Sequence, residues 1–155
     1  MAVKPIPEGQ HSITPYLGIQ DAARAIDFYK KAFGAVEMFR LDGPDGRVGH
    51  AELKIGDSSL MLAEPCGEAG GLAASQSLNG VAVGLHLYVE DVDARFAQAI
   101  AAGAVEVSPV KDQFYGDRSG SLKDPFGNLW FMATHKEDLS VEEIRERAAK
   151  LFGGA

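Results

Sequence analysis

From Gly84 to Val89 hydrophobic and polar positions alternate. Leu85, Leu87 and Val89 fall on one side and Gly84, His86 and Tyr88 on the other, as in a strand with one covered face. The period then lengthens. Val92, Phe96, Ala99 and Ile100 recur at helical spacing behind Asp91, a residue suited to an N-cap, and Gly103 stands where a left-handed residue ends a helix. The same order occurs earlier in the chain. "TPYLGI" precedes Asp21, then comes an apolar stripe of Ala22, Ala25, Ile26, Tyr29 and Phe33, and Gly34 follows. Each helix is followed by three further strand-like runs, at 36–41, 47–55 and 58–64 and again at 104–110, 117–123 and 128–134.

The two stretches are copies of one plan. Leu17, Ile19 and Asp21 match Leu87, Val89 and Asp91 at a shift of 70, and Gly34-Ala35 matches Gly103-Ala104 at 69. "LKIGDSSLMLA" matches "LKDPFGNLWFM" at 69, which pairs Leu60 with Leu129 and Leu62 with Phe131. Two units are too few for a solenoid, so the pattern predicts a duplicated β-α-β-β-β module. The fold class expected is α+β: two βαβββ modules forming an open, concave mixed sheet flanked by helices. A C-terminal helix is added, with Ser140 and Glu143 at capping-box spacing and a stripe of Val141, Ile144, Ala148 and Leu151 closed by Gly153. The boundaries expected within one structural domain are an N-terminal extension at 1–11, modules at 12–66 and 83–136, a connector at 67–82 and the final helix at 137–155. The Gly-, Ala- and Ser-rich stretch around that connector reads as mobile.

Composition narrows the function classes. A net charge of −7 disfavours nucleic acid as a partner. No apolar run is long enough for a membrane helix and no signal peptide is apparent, so a cytoplasmic location is expected. Cys66 is the sole cysteine and forms no internal disulfide. Gly-x-Ser-x-Gly and Walker motifs are absent from the sequence.

The strings "DAARAIDFYKKAFGA", "HAELKIGDSSLMLAE", "LHLYVEDVDARF" and "DQFYGDRSGSLKDPFGNLWFMATH" resemble the vicinal oxygen chelate superfamily. That superfamily holds glyoxalase I, bleomycin-resistance proteins and extradiol dioxygenases; the strings are most similar to its PhnB-like branch. The resemblance implies a half-open barrel whose metalloenzyme members hold a divalent ion with two His or Glu ligands from each repeat. Those ligand positions fall here on Thr14, Gly84, Leu62 and Phe131, none of which is a usual ligand. The expectation is therefore no metal and no other cofactor.

His50, Glu52 and His86 are candidates to replace the lost site, as a two-His, one-carboxylate set or as polar lining without metal. In "DQFYGDRSG", Tyr115, Asp117 and Arg118 sit at the entrance of a strand, where Arg118 is suited to a carboxylate or phosphate and Asp117 to holding its guanidinium. Asp124-Pro125-Phe126-Gly127 reads as a turn. Trp130 should point away from Phe131, into the core or an interface. The leading expectation is a protein that binds a small organic molecule in the cleft between modules, with His50, Glu52, His86, Tyr115, Asp117 and Arg118 as polar anchors and Leu62 and Phe131 as apolar wall. The alternative is a glyoxalase-type lyase or isomerase, with or without metal, in which Glu52 and His86 move protons. A third reading is a partner-binding module without ligand. The resemblance also implies a homodimer, with the N-terminal segment and the last helix as candidates to reach across.

Overall fold

The computed structural model of the chain describes residues 5–6, 8–11, 13–65, 72–77 and 83–152. They fall into two compact units: one is drawn from Met1–Ala82 with Pro125–Gly127, the other from Val83–Asp124 with Asn128–Ala155. The first unit runs β1 (Tyr16–Gly18), α1 (Ala22–Phe33), β2 (Val36–Asp42), β3 (Val48–Ile55) and β4 (Ser58–Ala63), then a 3-10 turn at Ser75–Ser77. The second runs β5 (Gly84–Tyr88), α2 (Val92–Ala102), β6 (Val105–Asp112), β7 (Asp117–Lys123) and β8 (Leu129–His135), and α3 (Val141–Phe152) follows. Each unit has one four-stranded mixed sheet, ordered β1-β4-β3-β2 and β5-β8-β7-β6. The first strand pairs parallel with the fourth and the remaining pairs are antiparallel. The βαβββ plan is present twice.

Both helices bury one stripe against their sheet. In α1 the side chains of Ala22, Ala25, Ile26, Tyr29 and Phe33 are buried, and Phe28 and Ala32 with them. Phe126 belongs to this unit: its ring lies edge-on to those of Phe28 and Tyr29, at 6.0 and 6.3 Å. In α2, Val92, Phe96 and Ala99 are buried, whereas Ile100 is 37% exposed and falls outside the core. Leu53 and Leu122, matched in the repeat, are both fully buried, each contributing about 1.5–3 kcal/mol by leaving water. Trp130 is buried as its alternation predicts, and its indole N–H donates to Asp124 Oδ2 at 2.9 Å. Asp124 Oδ1 accepts from the Asn128 N–H, so this carboxylate braces the turn between β7 and β8.

The helix starts differ from the expected pair of Asp caps. Asp91 accepts from the Ala94 N–H at 3.1 Å. Asp21 instead lies in the left-handed region at φ 61° and its side chain caps nothing. In α1 the first N–H, of Ala22, donates to Glu64 Oε1, and Arg47 holds the other oxygen of Glu64 at 2.6 Å. The same device recurs 70 residues on, where the Val92 N–H donates to Thr134 Oγ1 at 2.9 Å. The capping box of α3 forms in both directions between Ser140 and Glu143. Its expected apolar stripe is covered only in the middle: Ile144 and Ala148 are half-buried, whereas Val141 and Leu151 are 56% and 62% exposed.

The match of Leu62 to Phe131 is corrected by the strand registers. Lys54 pairs with Ser59 in the first hairpin, and Lys123 pairs with Leu129 in the second. The second turn is one residue longer, so β4 and β8 correspond at a shift of 70 although β3 and β7 correspond at 69. Met61, not Leu62, is the counterpart of Phe131, and Ser59, not Leu60, is that of Leu129. Leu62 is fully buried on the helix side of its sheet and cannot form the wall of an open face.

The connector reading also changes for the residues described. Ser75 Oγ donates to the Gly18 carbonyl, and Gln76 both accepts from the Gln20 N–H and donates to the Gln20 carbonyl. The segment 72–77 is thereby tied to the end of β1. Cys66 and Gly153 lie outside the described residues, as do the other connector residues from 66 to 82.

Candidate functional site

Each sheet covers one face with its helix. The other, more open face carries exposed rings, Tyr16 and Phe39 in the first unit and Tyr88 and Phe131 in the second, beside side chains that are buried, such as Asp117, Ser119 and Ser121. In the first unit a row crosses the open face one residue per strand: Tyr16 pairs with Met61, Met61 with Glu52, and Glu52 with Phe39. Alternation places His50 and Lys54 of β3 on the same face as Glu52, because Ala51, Leu53 and Ile55 are buried on the other. A bulge between Glu37 and Phe39 in β2 brings Phe39 and Leu41 onto this face, opposite Glu52 and His50.

The polar groups of this face form one chain. The Tyr16 hydroxyl lies 2.8 Å from His50 Nδ1, His50 Nε2 lies 3.3 Å from Glu52 Oε1, and Gln10 Nε2 donates to Glu52 Oε2 at 3.5 Å. A carboxylate only accepts, so Nε2 must carry a proton and donate to Glu52; in the neutral ring Nδ1 then accepts the Tyr16 hydroxyl. Apolar rings surround the imidazole. Tyr16 packs edge-on at 5.3 Å and Phe39 lies tilted at 6.2 Å. Lys54 is turned to the Gly9 carbonyl at 2.9 Å, where it serves the N-terminal extension. The Gln10 Oε1 is buried and has no partner among the described residues.

The corresponding row of the second unit reads His86, Phe131, Ser121 and Ser108. His86 faces the open side, as expected, stacked at 15° on Phe131 and 4.7 Å from Tyr88. Phe131 is 41% exposed and lies over Gly84, where an added Cβ would come within 2.8 Å of its ring. Farther along the face Asp117 is buried and accepts twice, from the Tyr88 hydroxyl and from His135 Nδ1, both at 2.8 Å. The other nitrogen of His135 meets Asp138 at 2.9 Å. Both ring nitrogens thus face carboxylates, which holds His135 protonated above the usual imidazole range, Asp117 contributing more than Asp138. The bond to Asp117 also raises the Tyr88 phenol. Tyr115 reaches Ser119 Oγ at 3.3 Å.

The expected Asp117–Arg118 pair is not formed. Neighbours on a strand point to opposite faces, and Arg118 is directed to the helix side. There its Nε and Nη2 bind both oxygens of Asp93 at 2.7 and 2.8 Å and its Nη1 meets Asp112 at 3.2 Å. These carboxylates raise the guanidinium further, and Arg118 in turn lowers Asp93. An open depression of about 460 Å³ on that side is lined by Asp93, Phe96, Ile100, Glu106 and Val110 and contains none of the expected site residues.

His50 and Glu52 are thus brought together in one unit, while His86, Tyr115, Asp117 and Phe131 share the open face of the other. Tyr16, Phe39, Gln10, Tyr88 and His135 are polar or aromatic partners that the sequence reading did not assign to the site, although alternation put Tyr88 on the face of His86. The repeat itself could have found Tyr16, which stands 70 residues before His86.

The donor set does not fit a divalent ion. The positions at which the resemblance implies ligands, corrected for register, carry Thr14, Met61, Gly84 and Phe131, and no group of three His, Cys, Asp or Glu side chains suited to a metal occurs among the described residues. No helix among them is long and apolar enough to cross a membrane.

Comparison with known proteins shows what the chain as a whole is similar to. Uncharacterized proteins Mb0911c of Mycobacterium bovis and Rv0887c of Mycobacterium tuberculosis are 44% identical over 138 residues; the match covers 86% of this chain and 90% and 80% of theirs. The structure of TioX from Micromonospora superposes with a TM-score of 0.66 at 28% identity, covering 81% of this chain and 98% of that one. The Arabidopsis thaliana protein At5g48480 does so with a TM-score of 0.61 at 29% identity, covering 80% and 97%. TnmS3, an antibiotic binding protein from Streptomyces, shares the fold at 24% identity with a TM-score of 0.60, covering 88% and 99%. The family model for the Glyoxalase/Bleomycin resistance protein/Dioxygenase superfamily matches residues 10–132, and the chain belongs to that superfamily.

Proposed function

We propose that the protein binds a small, neutral, largely aromatic molecule on the open face of its first sheet, without a divalent metal. The observation that carries this reading is the cross-strand row Tyr16, Met61, Glu52 and Phe39 with His50 beside it. It sets a few convergent polar groups among exposed apolar side chains, the mixture by which small-molecule sites are built. Tyr16 and Phe39 are 42% and 47% exposed, and Leu41 beside them 55%, so ring area is available for stacking. Glu52 and Lys54 are opposite charges on this face, the carboxylate bound by His50 and Gln10 and the ammonium turned to the Gly9 carbonyl, so neither is left over for an ionic ligand. His86, Phe131, Tyr115 and Asp117 offer a second aromatic and polar face of the same general kind.

The placement of the chain in the PhnB-like branch, its cytoplasmic location and its homodimeric assembly belong to the same proposal. Val36 on the edge strand of the first unit and, separately, Val105 and Leu151 in the second are each more than half exposed, apolar area that self-association would cover.

Calorimetric titration with 2-naphthol as the probe tests the ligand class. Saturable binding near one per chain is expected, weakened about 3- to 10-fold by Phe39→Ala, the loss of one aromatic contact. Absence of saturable binding across a panel of neutral aromatic alcohols contradicts the proposal. Elemental analysis after incubation with nickel, manganese, zinc and cobalt should find no stoichiometric metal; one metal per chain, lost in His50→Ala, contradicts the metal-free part.

A further inference from the structure

The face that binds the ligand also carries a connected path for a proton. We propose that Tyr16, His50 and Glu52 form a proton relay that makes Tyr16 the acid–base group of this face, acting on the hydroxyl of a phenolic or enolic ligand. The inference rests on the binding reading above and adds a chemical role to it. Three observations support it. Glu52 accepts from His50 Nε2, which fixes the tautomer and leaves Nδ1 as the acceptor for the Tyr16 hydroxyl at 2.8 Å. Glu52 is itself held by Gln10, so the base of the relay is oriented. The Tyr16 ring is 42% exposed, so the end of the relay is open to a ligand. A nucleophile or acid, a base, and a third group that orients the base is the general plan of an activated side chain.

The step balances with protons alone. The Tyr16 hydroxyl proton passes to His50 Nδ1, and Glu52 stabilises the imidazolium that results. The phenolate oxygen then takes the ligand's hydroxyl proton, leaving the ligand as an oxyanion beside a neutral Tyr16. Return of the proton from His50 by the same route restores the starting state. No bond between heavy atoms forms or breaks and no electron is transferred. The ligand class follows from the surroundings. Its apolar body meets Phe39 and Met61, which pair with Glu52 from either side, and its hydroxyl meets Tyr16.

The second sheet supplies a built-in comparison. The Tyr88 hydroxyl donates to Asp117, a carboxylate already bound by His135. That phenol is held in its neutral form, because its hydrogen bond to the Asp117 carboxylate opposes ionisation. Tyr88 is nevertheless the more exposed of the two rings, at 60%. Exposure and activation therefore predict opposite orders of reactivity.

The test is labelling of the whole protein with benzenesulfonyl fluoride, read by peptide mass spectrometry. The Tyr16 oxygen attacks sulfur, the S–O bond forms as S–F breaks, fluoride leaves and the phenolic proton goes to His50. Tyr16 is expected to react about a hundredfold faster than Tyr88, the lower end of what a positioned general base supplies. His50→Gln should bring Tyr16 down to the rate of Tyr88. Glu52→Gln, which keeps the shape of the side chain, should lower it in part and decides the matter where His50→Gln does not fold. Labelling that follows exposure, or a Tyr16 rate unchanged in both variants, overturns the relay. The reaction needs no bound ligand, so its outcome is separate from that of the naphthol titration.

Discussion

The two open faces are built on one backbone plan and carry different chemistry. Row for row, Tyr16, Met61, Glu52 and Phe39 of the first sheet correspond to His86, Phe131, Ser121 and Ser108 of the second. His50 corresponds to Ser119, so the His–Glu pair of one face is a pair of serines on the other. The exchange runs the opposite way at the end of the sheet. Gly18 and Val48 in the first unit stand where Tyr88 and Asp117 stand in the second. The first end is closed by the segment tied to Gly18, and the second carries Tyr88, Asp117 and His135. Duplication thus preserves what builds the sheet and frees what faces away from the core. Equivalent core positions remain apolar, as Leu53 and Leu122 do, because both must exclude water.

The comparison can be broken most severely through the core. Leu53→Ala and Leu122→Ala should each cost about 2–5 kcal/mol in urea unfolding, the usual cost of emptying a packed leucine site. A large loss at one and none at the other would contradict the equivalence of the two units. The first strands should differ next. A Cβ on Gly18 would lie 2.3 Å from the Ala73 carbonyl oxygen and 2.9 Å from Leu72 Cβ, whereas on Gly84 it meets only the exposed ring of Phe131. Gly18→Ala is expected to cost about 1–3 kcal/mol; Gly84→Ala should stay within about 0.5 kcal/mol while shifting the aromatic resonances of Phe131 and His86.

The helix starts give a smaller contrast. Asp91→Ala removes a working cap and should cost about 1 kcal/mol in denaturant unfolding. Asp21→Gly removes no hydrogen bond and relieves a left-handed residue, so no loss is expected. The least effect is a pH dependence confined to the second unit. His135 has its folded value raised, chiefly by Asp117 and then by Asp138. Its contribution is therefore complete below the unfolded value of about 6.5 and is lost as pH rises through the folded value. The urea midpoint of the wild type should show this decline on the alkaline side, and His135→Gln should remove it.

The duplicated module was legible in the sequence because the shifts of 70 and 69 recur over separate segments and because each strand and helix keeps its own period. The strands then fall within two residues of their expected bounds. What was not legible depends on single residues. One extra residue in the turn between β7 and β8 offsets the correspondence of the fourth strands, so Met61 and not the buried Leu62 is the counterpart of Phe131. Arg118 follows Asp117 in sequence yet is bound by Asp93 and Asp112, since adjacent strand residues diverge. Asp21 occupies a capping position, but Glu64, 43 residues away in sequence, provides the group that accepts there. His50 and Glu52 could be placed on one face by alternation, and Tyr16 through its match to His86; that Tyr16 contacts His50 depends on the parallel register of β1 with β4.

The central claim is that the first sheet's open face is the ligand site. Amide and methyl NMR of the labelled protein, titrated with 2-naphthol, tests it most directly. The account predicts saturable shifts centred on Tyr16, Phe39, His50, Glu52 and the Met61 methyl, with the α2–β6 depression unmoved. Shifts centred on Phe96, Ile100 and Val110 instead, or none at saturating probe, would contradict it.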